Sequence, residues 1–510
     1  MVPRAAPTLL GAVARRALGL NARRNCSSIA VHTPRDGSVI GEIPDASAAD
    51  VDAAVDAGVA CLGSSWSSPS SVAARCAVLE TLGASLRANL EELAKLETLD
   101  CGKPLAESRI DIETCAALCE FYAEVAPAKL RDEPIDAARL EPPYGARVVA
   151  APAGLVGAVS PWNYPLMQAV AKVAPALAAG CATVLKPSPL ASLTCVRLGE
   201  LAADAGAPAG ALTVVTGGPP GGRAGRGAER LVTHPRLDLL SFTGSGRAGR
   251  QLLRASAEAL RPTTLELGGK GAAIVFDDAD VAAAVDWACV GIFACAGQVC
   301  SATSRLLVHE SIHDDVVAAL LAAAADIRTG DPLTDGTTMG PLVSAGQRDR
   351  VLAALADARA DGCDVLLGGG AADVDASLAG GYYVEPTVLA APRASRAWRD
   401  EIFGPVLAVS TFSTEAEAIA AANESEYGLA HAVFSADGAR AERVGAALDA
   451  GTVWLNCSQV LWPATPFGGW KRSGWGKEFG AEGIDEFVRR KTVTTAPPGF
   501  STQSYAGAGG

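Results

Sequence analysis

The feature that most narrows the fold is a regular alternation of short apolar runs and helical segments between Leu155 and Phe276. Runs at 155–159, 182–186, 212–216, 237–243 and 264–267 read as strands. Between them lie helical patterns at 167–179, 192–205, a shorter one before His234, and 248–259. Strands separated by helices imply a parallel, doubly wound sheet. A second α/β block follows, with strands near 305–309, 365–367, 406–412, 430–434 and 452–455. Upstream, 48–62, 71–96 and 110–128 read as amphipathic helices, and Asp100-Cys101-Gly102-Lys103-Pro104 stops the second of them. A chain of 510 residues has room for two or three domains with substantial cores.

Residues that carry chemistry fall at the ends of these strands. Glu266-Leu267-Gly268-Gly269-Lys270 puts a carboxylate at the end of an apolar run, before two glycines that admit close backbone approach. Gly297-Gln298-Val299-Cys300-Ser301-Ala302-Thr303-Ser304-Arg305 presents one cysteine on a small-residue loop feeding the next strand. A thiol and a carboxylate displayed in this way suit covalent catalysis followed by base-assisted hydrolysis. Taken singly, the cysteine reads as a small buried hydrophobe and the glutamate as a strand-end charge.

Other segments extend the pattern. Gly244-Ser245-Gly246-Arg247-Ala248-Gly249 matches G-x-G-x-x-G after a strand and at the head of a helix, where a pyrophosphate can reach free N–H groups. Such a turn can also bind nothing. Lys186 ends a buried strand at Pro187-Ser188, where a solvated charge would serve equally. Asn163 sits between Pro161 and Pro165 and offers an amide donor, its plainer role being to shape a turn. Phe403, in Glu401-Ile402-Phe403-Gly404-Pro405-Val406, suits core packing as well as a ligand.

Together with Ser160-Pro161-Trp162-Asn163-Tyr164-Pro165 and Phe242-Thr243-Gly244-Ser245, these segments resemble the NAD(P)-dependent aldehyde dehydrogenase superfamily from about Asp36 to Lys491. Cys300-Ser301-Ala302-Thr303-Ser304-Arg305 and Trp454-Leu455-Asn456-Cys457-Ser458-Gln459 look most like the plant-type betaine-aldehyde and aminoaldehyde dehydrogenases. The resemblance implies an aldehyde dehydrogenase-like α/β fold with a doubly wound cofactor domain, an α/β catalytic domain and small oligomerisation strands. Its expected boundaries are 28–266 for the cofactor-binding domain, with 140–158 contributing an oligomerisation strand, and 267–480 for the catalytic domain. A further oligomerisation strand is expected at 481–498 and a disordered tail at 499–510. The strand near 487–493 would pair subunits of a homodimer or homotetramer, although sequence alone also allows it to pack within the chain.

By the same resemblance, Cys300 is the nucleophile, Glu266 the base that activates water, and Asn163 with the Cys300 N–H the oxyanion hole. Cofactor contacts are expected from Ser160, Trp162, Lys186, Ser188, Phe242, Gly244, Ser245, Gly249, Leu267, Glu401 and Phe403. Lys186 would meet the adenosine ribose, Glu401 the nicotinamide ribose, and Phe403 the nicotinamide ring. Pro189 stands where the family often has Glu, which removes a carboxylate that would repel a 2′-phosphate. NAD is the expected cofactor, with NADP tolerated. The alternatives are a CoA-acylating semialdehyde dehydrogenase, which needs no water-activating base, and a catalytically silent structural or binding member.

Composition excludes several partners. A net charge of −13 argues against nucleic acid and anionic membrane surfaces. No apolar run approaches the roughly 20 residues of a membrane span. The 13 cysteines include no Cys-x-x-Cys pair and the five histidines no ligand spacing, so no metal site is expected and a reducing compartment is. Residues 1–27 carry Arg4, Arg15, Arg16, Arg23 and Arg24, with no acid before Asp36, the composition of an organellar transit peptide. Mitochondrion is the first expectation and plastid the second; the plainer reading is a disordered basic tail.

The substrate pocket is read from the same resemblance. Betaine-aldehyde enzymes hold an ammonium head in an aromatic box by cation–π attraction. Ile110, Ala171 and Ala294 replace expected rings, Tyr164 remains, Trp462 lies in the anchor loop, and Asp111 and Glu113 offer negative charge. The expectation is a larger pocket, weak preference for trimethylammonium, and broader use of aminoaldehydes or apolar aldehydes.

Overall fold

This computed structural model describes residues 28–218 and 226–501. The expected transit peptide, most of the glycine-rich 217–227 loop and residues 502–510 of the expected tail lie outside the described residues.

The alternation between Leu155 and Phe276 builds a six-stranded sheet. Its parallel strands run Thr263–Glu266, Leu239–Thr243, Leu155–Ser160, Ala182–Pro187 and Leu212–Val214 in spatial order, with Gly474–Trp475 added antiparallel beside Thr263–Glu266. Register places Ser160 beside Pro187 and Thr243 beside Glu266, so the carboxyl ends of the strands share one edge. In open α/β sheets that edge is where ligands bind.

The helix Pro165–Ala179 begins with a proline at its first turn, where the missing N–H costs nothing, and ends at Gly180 with φ 88°. Apart from Gln168 and Lys172 its sequence is apolar, and nearly every residue is buried. A helix buried on all sides has to find partners for its few polar groups, and both of these reappear at the site.

A seven-stranded sheet follows, ordered Asp364–Leu367, Thr387–Ala390, Val406–Phe412, Arg305–His309, Ala272–Val275, Ala430–Phe434 and Thr452–Leu455. All neighbours are parallel except the outer Asp364–Leu367 strand. Each sheet has its own hydrophobic core. A third, antiparallel sheet pairs Val488–Thr495 with Gly145–Pro152 in full register, with Glu133–Pro134 on the other side. Within the chain, therefore, the carboxy-terminal strand has a partner on one edge.

Three local expectations differ. The single helix read over 71–96 is two, Val72–Ala88 and Leu90–Cys101. They break at Asn89, whose side-chain amide donates to the Ser85 carbonyl and competes with helical continuation. The four-residue strands Ala272–Val275 and Thr387–Ala390 are too short to show a period in sequence. A hairpin, Ser28–His32 with Val39–Pro44, precedes the first helix.

The strand that leaves the Cys300 loop is anchored by a buried guanidinium. Arg305 donates to the carbonyls of Lys270 at 3.0 Å, Ala421 at 2.9 Å and Ala422 at 2.8 Å. Replacing it with Met strands three buried acceptors. Arg305→Met should destabilise by roughly 3 kcal/mol, read as a lowered Tm in thermal melting. A Tm equal to that of the wild type would contradict this anchoring.

Candidate active site

Cys300 rides on a loop whose backbone is unusual before it arrives. Cys295, Ala296 and Gly297 all have positive φ, at 48°, 51° and 72°. Two of the three are not glycine, so the turn is held by its surroundings. At Gly297 a Cβ would stand 2.1 Å from the Gly404 carbonyl oxygen, which no side chain tolerates.

Gln298 then locks the loop. Its Nε2 donates to the Cys295 carbonyl at 3.0 Å, and its Oε1 accepts the Val343 N–H at 2.9 Å. Its own carbonyl accepts Nδ2 of Asn163 at 2.8 Å. Asn163 is thereby fixed against the nucleophile loop by one of its two amide hydrogens, leaving the other to point elsewhere.

Glu266 ends its strand fully enclosed. Oε1 accepts the Gly469 N–H at 3.2 Å, and Oε2 has no partner. Burial, with Glu478 adding to it and Lys172 opposing, pushes its pKa well above the carboxylate range. Lys172 bridges the group, in an ion pair with Glu478 and donating to Thr243 Oγ1 at 2.6 Å. The Cys300 thiol is also raised, by burial first and then by the charges of Glu266, Glu401 and Glu478. A thiolate here therefore forms late in pH, against several carboxylates at once.

The expected cofactor residues gather along the strand-end edge. Phe242 packs under Gly244, where a Cβ would lie 2.6 Å from the ring, and Gly249 lies against Leu267. Ser245 caps the helix Gly246–Glu258, accepting the Ala248 N–H at 3.3 Å. Ser188 donates its backbone N–H to the Ser160 carbonyl at 3.0 Å. Lys186 is buried, which lowers its pKa to about 8, and gives hydrogen bonds to the carbonyls of Pro187 and Gly217. Glu401 accepts the Gly269 N–H at 3.0 Å and is pushed up to about 7 by burial. A Cβ on Gly268 would meet that carboxylate at 2.2 Å, so any side chain there would displace Glu401 from its present position. Trp162 and Phe403 meet edge to face at 5.3 Å between ring centres. These small residues and cradled donors fit a dinucleotide lying over the sheet edge.

A cavity of about 650 Å³ has Cys300 in its lining. Tyr164, Met167, Gln168, Phe293, Ala294, Trp454, Leu461 and Phe467 supply much of its wall. Glu107, Asp111, Asp286 and Asp326 also line it, with no lysine or arginine among the lining residues.

The structure corrects four pocket expectations. Trp462 is 62% exposed and does not line the cavity; Phe467, five residues later, does. The Asp111 carboxylate is already engaged by the buried Lys103 ammonium, which also lies 3.9 Å from the Tyr164 ring centre. Glu113 is outside the cavity and pairs with Arg87 at 2.7 Å. Ile110 and Ala294 line the wall as expected, whereas Ala171 is buried in the core.

Sequence reasoning passed over Lys172, Glu478, Gln168, Gln298 and Phe467. Lys172 and Gln168 carried a signal, as the polar positions in an otherwise apolar helical run. Glu478 and Phe467 come from irregular segments after the second sheet and carried none.

The sequence profile described as the aldehyde dehydrogenase family matches residues 21–493. Aminoaldehyde dehydrogenase 2 of Pisum sativum, named peroxisomal, is 43% identical over 478 residues, 91% of this chain and 92% of its own. Betaine aldehyde dehydrogenase of Beta vulgaris, named chloroplastic, is 42% identical over 473 residues, 92% and 93% of the two chains. Among solved structures, betaine aldehyde dehydrogenase from Staphylococcus aureus in complex with NAD+ superposes with a TM-score of 0.90 at 36% identity, covering 95% of this chain and 94% of its own. These relatives are named peroxisomal and chloroplastic, which overturns the mitochondrial expectation.

The electrostatics around Cys300 set a direction for its titration. Alkylation of Cys300 by iodoacetamide, followed by peptide mass mapping, should accelerate as pH rises above neutral. Glu266→Gln removes a carboxylate that opposes the thiolate, so the inflection should move to lower pH. An inflection that stays in place would contradict the electrostatic account.

Proposed function

The chain belongs to the aldehyde dehydrogenase family, and on that premise we propose that it oxidises cationic aldehydes, aminoaldehydes ahead of betaine aldehyde, through a covalent intermediate on Cys300. The observation that carries this reading is the cavity itself: it exposes Cys300 between apolar walls and carboxylates, without a lining cation.

In this reading Cys300 Sγ attacks the aldehyde carbon. The developing oxyanion is met by the free amide hydrogen of Asn163 and by the Cys300 N–H. Loss of one such donor costs about 3 kcal/mol in comparable sites. When bound along the sheet edge, NAD would supply the hydride acceptor for oxidation of the thiohemiacetal to a thioester. Ser160, Trp162, Lys186, Ser188, Phe242, Gly244, Ser245, Gly249, Leu267, Glu401 and Phe403 would hold it, with NADP tolerated because Pro189 bears no charge. Glu266 in its ionised form takes a proton from Cys300 and later from the water that cleaves the thioester. A carboxylate that bears on Cys300 favours hydrolysis over transfer to coenzyme A, which needs no water-activating base. We assign the first sheet to cofactor binding, the second to catalysis, and the outer edge of Val488–Thr495 to pairing between copies in a homodimer or homotetramer.

Cys300→Ser should abolish turnover while cofactor binding, followed by fluorescence quenching, persists. Glu266→Gln should slow thioester hydrolysis more than acylation, since the thiolate also forms by titration as pH rises. Above neutral pH a burst of reduced cofactor should therefore persist while the steady state is lost. Normal turnover by Cys300→Ser would overturn the covalent reading.

A further inference from the structure

One face of the helix Val281–Phe293 runs along the wall of the cavity that holds Cys300. Asp286, Cys289, Val290 and Phe293 all line it, and their spacing of three, four and seven residues puts them in one stripe. The carboxy-terminal end of this helix is fixed to the nucleophile loop, where the Thr303 N–H donates to the Gly291 carbonyl at 3.0 Å. At 1.5 Å per residue, Asp286 lies about 10 Å back along the axis from Phe293. It is exposed, and its charge bears on the Cys289 thiol one turn further in.

Four acids line the cavity, and they differ in what they can still bind. Asp111 is held by the buried Lys103 ammonium. Glu107 accepts the Cys295 N–H at 2.9 Å. The exposed side chains of Asp286 and Asp326 make no hydrogen bond or ion pair among the described residues. On the stripe, Cys289, Val290 and Phe293 separate Asp286 from the nucleophile loop without a charge or a strong hydrogen-bonding group. A free carboxylate at one end, a thiol at the other and an apolar wall between them suit a long aldehyde with a cation at its far end.

We propose that Asp286 receives the terminal ammonium of a long ω-aminoaldehyde whose carbonyl carbon reaches Cys300. Carbon–carbon bonds of about 1.5 Å, foreshortened by the zigzag, cover that span in roughly eight steps, the length of 8-aminooctanal. The four-carbon 4-aminobutanal extends about half as far, and its ammonium stops against the apolar wall. Betaine aldehyde is shorter still. Asp286 acts on a part of the substrate remote from the reacting carbon and is met already in the ground state, so its contribution falls chiefly on KM. Because the carboxylate is exposed, solvent and salt screen the attraction, which is worth about three- to fivefold in affinity. This inference rests on the cationic-aldehyde reading above and sharpens it to a chain length.

The test is kcat/KM for 4-aminobutanal, butanal, 8-aminooctanal and octanal in the wild type, Asp286→Asn and Asp286→Glu. Dividing each aminoaldehyde by the alkanal of equal length removes the gain that extra methylenes bring by burial. In the wild type this ratio should be larger at eight carbons than at four. Asp286→Asn should lower the eight-carbon ratio about three- to fivefold, through KM, and the four-carbon ratio by less. Asp286→Glu keeps the charge and should keep the eight-carbon ratio, which high ionic strength should shrink. Both variants should melt with the wild type, since the side chain is exposed and holds nothing within the described residues. A ratio no larger at eight carbons than at four, or one that Asp286→Asn leaves unchanged or lowers equally at both lengths, overturns the role of Asp286. Aminoaldehydes no better than alkanals at either length overturn the cationic class itself, which is a different result.

Discussion

The catalytic loop depends on one strained turn. Cys295, Ala296 and Gly297 run consecutively through the left-handed region, and each non-glycine residue there costs on the order of 1 kcal/mol. The strain is offset by the hydrogen bonds of Gln298 and by the close seat of Gly297 on the Gly404 carbonyl. That contact joins the nucleophile loop to the segment bearing Glu401 and Phe403. Placement of the thiol and placement of the cofactor-side residues are therefore one packing problem, solved where two glycines meet.

The second constraint is electrostatic. Glu266, Glu401 and Glu478 bear on one half-buried thiol, and Lys172 is the cation that holds Glu478 among them. Burial and the Glu478 charge both favour the neutral form of Glu266, so that carboxyl gives up its proton late. A site built this way holds the thiol in its protonated form at rest, and Glu266 has to release its own proton before it can take one. The strands fix the geometry: Thr243 and Glu266 are cross-strand neighbours, and Thr243 receives the Lys172 hydrogen bond.

Much of this was legible in the residues. The five parallel strands of the first sheet followed from alternation, because helix and strand periods differ and the intervening segments were long enough for crossovers. Glu266 and Cys300 were legible as strand-end residues beside glycine. Short strands such as Ala272–Val275 were not, since four buried residues show no period. The pocket was the least legible part. Trp462 and Phe467 stand five residues apart in irregular chain, and only tertiary packing decides which ring turns inward. Asp111 looked available because its partner, Lys103, is contributed from eight residues earlier, across the start of the helix Leu105–Lys129. The amino-terminal arginines suggested a mitochondrion, which the compartments named for the plant relatives contradict.

The central claim, that a substrate carbon becomes bonded to Cys300 and is released through Glu266, is tested most directly by intact and peptide mass spectrometry. The Glu266→Gln enzyme, quenched in acid shortly after mixing with 4-aminobutanal and NAD, should carry one acyl group, mapped to Cys300 and absent without NAD. An enzyme that turns over aldehyde yet shows no adduct, or carries it on Cys289 or Cys295, would contradict the account.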